Sequence, residues 1–171
     1  MSTVRKRPSR NPVNPQELPP ARGRLVFDPQ QCRTCRVCEV TCAIVHEGQA
    51  RPSLARINIF FDEFAEISPI SASFCLQCED APCIEACRLG AMSRDPRTGA
   101  VLINEELCVG CMLCQRACPW DIPKLHPEKK IAIKCDLCSD RPEGPACVQA
   151  CPLAGKALRY DPDYYVRGTQ P

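Results

Sequence analysis

Sixteen cysteines stand in a chain of 171 residues, and their spacing is what first suggests chemistry. Cys32, Cys35, Cys38 and Cys42 are spaced C-x2-C-x2-C-x3-C, and Cys108, Cys111, Cys114 and Cys118 repeat that spacing ahead of Pro119. Cys75, Cys78, Cys83 and Cys87 follow C-x2-C-x4-C-x3-C, while Cys135, Cys138, Cys147 and Cys151 follow C-x2-C-x8-C-x3-C ahead of Pro152. No cysteine is left over. Clustered thiols form disulfides in oxidising compartments and bind metals or do redox work in reducing ones. Met1 to Arg10 has no apolar segment of a secretory signal, and no stretch approaches the roughly 18 uninterrupted apolar residues of a membrane span. The expectation is a soluble, cytoplasmic chain whose thiols hold metal.

Three cysteines at steps of three can wrap one face of an iron–sulfur cube, because a looping backbone turns each sulfur inward with its amides pointing the same way. In the C-x2-C-x2-C-x3-C-P run the fourth cysteine ligates the other cluster of a pair. The x3 gap sets the third and fourth cysteines at i and i+4, on one face of a short helix. Quartets are therefore expected to work in pairs, and sixteen thiolates, four to a cluster, supply four [4Fe-4S] clusters. A structural zinc site takes two C-x2-C pairs and has no use for a third cysteine three residues on. A disulfide framework would tie up every thiol in a chain without a signal segment. A radical-type cluster leaves one iron without a cysteine, so the full complement favours electron transfer over substrate activation. All-cysteine ligation also leaves no place for a Rieske pair of histidines.

The elements that must position these thiols are short. Residues 91–93 and 100–103 flank the turn residues Asp95-Pro96-Arg97-Thr98-Gly99 and read as a small hairpin between the second and third quartets. Residues 56–61 and 130–134 read as further strands, and 36–46, 83–89, 112–117 and 146–150 as short helices carrying the later cysteines of each quartet. The fold class is a loop-rich α+β body. Aromatics make up only 5% of the chain and proline numbers 18, so a purely hydrophobic core would be thin. A compact body of about 150 residues is roughly 40 Å across, which sets four clusters within electron-hopping reach of one another.

Charge divides the chain unevenly. Residues 1–24 carry Arg5, Lys6, Arg7, Arg10, Arg22 and Arg24 against Glu17 alone, and the remainder is mildly acidic within an overall net charge of +2. That balance argues against a nucleic-acid binder. Residues 1–23 form a basic, Pro-rich arm, read either as a solvated tail or as a strap on a neighbouring subunit. The C-terminal segment, with Tyr160, Tyr164 and Tyr165, is a second candidate strap, bounded at 161–171. Arg33, Arg36, Arg88, Arg116 and Lys134 lie near cysteines and read as solvated surface charges able to tune individual clusters. His46 and His126 lie outside the quartets and read as surface residues. Trp120, after Cys118-Pro119, reads as a packing lid over a cluster.

The quartets, with Phe74-Cys75-Leu76-Gln77-Cys78-Glu79-Asp80-Ala81-Pro82-Cys83, Asn104-Glu105-Glu106-Leu107-Cys108-Val109-Gly110-Cys111 and Lys134-Cys135-Asp136-Leu137-Cys138, resemble the four-cluster polyferredoxin subunits. These serve molybdenum and tungsten oxidoreductases of the DMSO reductase and formate dehydrogenase class, hydrogenases and carbon monoxide dehydrogenase. The resemblance covers residues 24–160. It implies two nested bacterial dicluster-ferredoxin-like units, an outer one from quartets 32–42 and 135–151 and an inner one over 75–118. Carried over residue by residue, it implies four ligand sets: Cys32, Cys35, Cys38 and Cys151; Cys135, Cys138, Cys147 and Cys42; Cys75, Cys78, Cys83 and Cys118; Cys108, Cys111, Cys114 and Cys87. Arg88 stands where a proline commonly follows the second quartet, and the membrane helix of some relatives is missing. The short length and basic arm look most like the small electron-transfer subunit of a tungsten aldehyde oxidoreductase.

The expected function is a non-catalytic subunit relaying single electrons between a catalytic metallo-oxidoreductase subunit and another redox partner, flavin- or NAD-linked, without nucleic acid or membrane. The alternatives are the electron carrier of a carbon monoxide dehydrogenase or hydrogenase, and a connector that self-associates through its straps while the clusters mainly hold the fold.

Overall fold

A computed structural model describes residues 18–166. Most of the basic arm and the last residues of the C-terminal strap fall outside that range. Twelve short elements follow in order: β1 (Arg24–Phe27), α1 (Val37–Glu47), β2 (Ile57–Phe61), β3 (Ile70–Phe74), α2 (Pro82–Glu85), β4 (Met92–Arg94), β5 (Val101–Ile103), α3 (Leu113–Ala117), β6 (Lys124–Leu125), β7 (Ala132–Ile133), α4 (Ala146–Gln149) and β8 (Leu158–Asp161). Residues 52–54 add one 3-10 turn. Among the described residues no helix is long and apolar enough to cross a membrane.

The strands form four separate antiparallel pairs, β1 with β8, β2 with β3, β4 with β5 and β6 with β7. The hairpin expected from residues 91–103 is β4–β5, with Met92 opposite Ile103 and Arg94 opposite Val101. Its turn is fixed locally: Asp95 Oδ2 accepts from the Thr98 hydroxyl at 2.6 Å, and Gly99 is left-handed at φ 72°. A Cβ at Gly99 would lie 2.6 Å from the amide nitrogen of Arg22, so the glycine also lets the end of the arm cross the turn. The strand read at 56–61 is β2, and the one at 130–134 shrinks to the two residues of β7. Sequence reasoning missed their partners, β3, whose Ile70-Ser71-Ala72-Ser73-Phe74 does alternate, and β6, too short at two residues to show a pattern. The helix expected over 83–89 is a single turn, Pro82–Glu85, after which the chain continues in turns closed by Cys87 N donating to Ile84 O and Gly90 N to Cys87 O.

β1 and β8 come from opposite ends of the chain, with Leu25 facing Tyr160 and Phe27 facing Leu158. The described part of the C-terminal segment packs beside the start of β1 and the second cysteine quartet. Tyr165 N donates to Arg22 O at 3.0 Å, Tyr165 Oη donates to Leu76 O at 2.8 Å, and the Arg24 guanidinium lies 4.5 Å over the Tyr164 ring. Helix α1 packs on α4, and α2 on α3. The interior divides in two: Leu25, Leu54, Ile57, Phe74 and Leu158 surround Cys42, Cys75, Cys135 and Cys147, while Ala81, Ile84, Met92 and Val101 surround Cys83 and Cys114. Burying each large apolar side chain contributes about 1.5–3 kcal/mol, and thiols occupy much of the space between them.

Candidate metal centre

Each quartet is shaped by the same backbone device. The residue before its second cysteine is left-handed: Thr34 at φ 53°, Gln77 at 56°, Gly110 at 66° and Leu137 at 60°. Arg36 and Met112, both at 57°, and Ala81 at 37° repeat the turn at the starts of α1, α3 and α2. A left-handed non-glycine residue costs about 1–2 kcal/mol, and such conformations persist where the surroundings impose them. Amides of these turns and of neighbouring segments point at sulfur. Thr34 N donates to Cys32 Sγ at 3.4 Å, Arg56 N to Cys42 Sγ at 3.2 Å and Ala132 N to Cys108 Sγ at 3.3 Å. Amides of Glu39, Gln115, Ala146 and Val148 favour the thiolates of Cys38, Cys114, Cys138 and Cys147 in the same way. Aligned N–H groups of this kind are anion sites.

The thiols converge across the quartets. One cavity is lined by Cys32, Cys35 and Cys38 with Cys151, a second by Cys75, Cys78 and Cys83 with Cys118, and a third by Cys108, Cys111 and Cys114 with Cys87. The remaining four also lie together, since the charge of Cys138 acts on Cys42, that of Cys147 on Cys135, and those of Cys42 and Cys138 on Cys147. The groups adjoin one another in sequence: Cys38 acts on Cys147, Cys75 on Cys135, and Cys114 on Cys83. Cys35 and Cys111 alone among the cysteines are exposed, one in each terminal group.

Burial pushes the Cys38 and Cys83 thiols up to about 12 and Cys42 up to about 11, and raises Cys78, Cys114, Cys135, Cys138 and Cys147 as well. Without a cation these buried groups are neutral thiols; thiolates become stable there when metal binding displaces the protons. Sulfurs grouped in fours with amides already aimed at them fit an iron–sulfur cluster.

Residues 68–160 match the 4Fe-4S dicluster domain. The chain belongs to this dicluster-domain family. It is 41% identical over 131 residues to the polyferredoxin-like subunit of aliphatic sulfonate oxidoreductase from Pyrococcus furiosus, covering 77% of this chain and 72% of that one. It is 35% identical over 146 residues to the electron transport protein HydN of Escherichia coli K12, covering 75% and 82%. Protein NrfC of the same strain is 38% identical over 144 residues, covering 80% of this chain and 63% of NrfC. Iron–sulfur binding and electron transport are thus the properties of the dicluster-domain family to which this chain belongs.

Three sequence readings need correction. His126 is only 2% exposed, with Nε2 3.3 Å from Glu47 Oε2, and His46 is half-buried with Nε2 3.6 Å from Cys138 Sγ and 3.5 Å from Asp136 Oδ1. Lys134 is 3% exposed and donates to the carbonyls of Val101 and Cys135. The physical reason is common to all three: the thin apolar core leaves room that polar side chains fill, each with an internal partner. His46 had a signal, since it stands four residues after Cys42 on α1 and shares its face. Arg33, Arg36, Arg88 and Arg116 are exposed as read, and Arg88 lines the Cys87 cavity. Trp120 lines the Cys118 cavity while remaining 59% exposed. Sequence reasoning missed Arg94, Gln77 and Glu39, all buried beside cysteines.

Proposed function

We propose that the chain is a cytoplasmic electron-transfer subunit holding four [4Fe-4S] clusters in two nested dicluster units, a reading supported by the three cysteine-lined cavities and by the mutual proximity of the remaining four cysteines. Cys32, Cys35, Cys38 and Cys151 hold the first; Cys42, Cys135, Cys138 and Cys147 the second; Cys75, Cys78, Cys83 and Cys118 the third; Cys87, Cys108, Cys111 and Cys114 the fourth. The pairing of β1 with β8 and the packing of α1 on α4 support an outer unit wrapped around the inner one. Bound clusters supply one-electron oxidation and reduction. The protein's part is to fix their sequence, exclude water from the inner two and open the outer two to partners.

The observation that carries this reading is the row of four thiol groups with an exposed cysteine in each terminal group and none in the middle two. A row buried centrally and open at both ends suits passage between two partners better than storage. One partner is a catalytic molybdenum- or tungsten-type oxidoreductase subunit, with an aldehyde oxidoreductase favoured, and the other a flavin- or NAD-linked redox protein. The relative from Pyrococcus furiosus, named as a subunit of an oxidoreductase, supports the first. Iron and acid-labile sulfide analysis of the anaerobically purified chain, followed by a spin-counted reductive titration, tests the reading. Four clusters that reduce in one-electron steps are expected; clearly fewer, or zinc in their place, would reject it.

A further inference from the structure

We propose that Lys134 and Arg94 act as positioning cations that make the site of Cys75, Cys78, Cys83 and Cys118 the highest-potential of the four, a central point where the first electron rests. This rests on the four-cluster reading above.

Both cations are buried, at 3% and 4% exposure, and neither has an ion-pair partner among the described residues. Lys134 lines the cavity formed by the four cysteines, and its charge favours the Cys83 thiolate. Its ammonium is held in place by carbonyls, donating to Cys135 O at 2.8 Å and to Val101 O. Arg94 reaches the same site from β4: Nη2 donates to Cys78 O at 2.5 Å and to Glu79 O at 3.1 Å, and Nη1 to Gly99 O at 3.0 Å. Its buried Nε has no partner. Carbonyls orient these cations without neutralising them. A buried charge needs a counter-charge, and the groups that favour the charged Arg94 are the sulfurs of Cys83, Cys75 and Cys78 together with the Tyr165 hydroxyl.

The other sites differ in charge. Beside Cys42 and Cys138, Arg56 is already engaged by Asp136 at 2.6 Å and Glu47 at 3.6 Å, and Asp136 acts against the thiolates of both cysteines. The other cations there, Lys124 and Arg141, are only half-buried, Lys124 facing Glu39 as well as Cys42. Glu39 acts against Cys38 in the first site. Cys114, in the fourth, is raised by burial and by Cys108 and Cys111, with the Gln115 amide acting the other way. The third site does face one carboxylate, Asp80, but that residue is exposed and screened by water. Reduction adds an electron to the site, and uncompensated buried cations favour the added charge where little water screens them.

The test is a potentiometric titration of the loaded wild-type chain and of Arg94→Gln and Lys134→Gln, which keep a hydrogen-bond donor and remove the charge. In each variant the highest of the four reduction waves is expected to fall by at least tenfold in its reduction equilibrium, which is 59 mV for a one-electron step, with the other three moving less. Arg94→Lys and Lys134→Arg keep the charge and should retain the wild-type wave. Four clusters with unchanged waves in both glutamine variants, or movement of a lower wave instead, would overturn the inference while leaving the four-cluster reading intact. Fewer than four clusters in the wild type would overturn that reading itself. Loss of the cluster in both glutamine variants, with retention in the charge-keeping pair, would show that the charge holds the cluster rather than sets its potential, and would also overturn the inference.

Discussion

Gln77 donates its side-chain amide to the carbonyl of Cys135 at 3.0 Å, joining the second quartet to the fourth across 58 positions of sequence. The same side chain accepts from Val101 N at 2.8 Å, and it is wholly buried. One glutamine thus ties together a cysteine loop, a strand and the two middle thiol groups. Its left-handed backbone follows from its place before Cys78, and its side chain is free to bridge because that turn directs it inward.

Replacing Gln77 with leucine would leave the buried Val101 amide without a partner, while the Cys135 carbonyl keeps the Lys134 ammonium. One such orphan costs about 1–3 kcal/mol. Gln77→Leu is expected to destabilise the loaded chain by about 1–3 kcal/mol, measured as a lower denaturant midpoint with unchanged slope. No measurable shift would mean that water or a rotated neighbour satisfies the amide.

Gly110 is the one member of the left-handed series without a side chain, and the structure says why. A Cβ there would collide with the backbone carbonyl of Lys130, in addition to the strain of φ 66°. Gly110→Ala should therefore cost more than about 2 kcal/mol and displace the loop bearing Cys108 and Cys111. The expected result is loss of about one cluster's worth of iron per chain, whereas Thr34→Ala, at the equivalent place in the first quartet, should keep its full content.

Glu47 gathers a buried network at the end of α1. Its carboxylate lies 2.8 Å from Lys129, 3.3 Å from His126 and 3.6 Å from Arg56. Burial pushes its pKa up, but the Lys129 hydrogen bond and the surrounding positive charges outweigh that and hold it below the ordinary carboxylate value of 4.5. A carboxyl depressed on folding stabilises the fold above its unfolded pKa and ceases to do so as pH falls through its folded one. Glu47→Gln should thus lower stability by about 1–3 kcal/mol near neutral pH, the scale of a lost charge-assisted hydrogen bond to a half-exposed partner. The gap between variant and wild type, followed by thermal melts, should begin to close only below about pH 4.5.

Cysteines fill so much of the interior that metal and fold should stand or fall together. Removing iron with acid and a chelator under anaerobic conditions is expected to abolish the cooperative thermal transition and most far-UV dichroism. An apo chain that still melts cooperatively would show that the apolar clusters around Leu25 and Met92 suffice alone.

The cysteine spacing made the chemistry legible because it is local: C-x2-C turns, the x3 step along a helix and the turn residues 95–99 are all set by neighbours in the chain. It gave the quartets, the α+β character, the β4–β5 hairpin and the short helices. What stands three or more elements away was not legible. Nothing in Leu25 or Tyr160 announces that β1 will meet β8, nothing in Arg94 announces its carbonyl cage, and His126 and Lys134 looked like surface residues because polarity by itself says nothing about internal partners. The sequence determined which atoms could bind metal. Only the tertiary structure decided which sulfurs face a common cavity, which cations lie buried beside them and which two cysteines reach solvent, since burial and charge compensation are properties of atoms brought together from distant parts of the chain.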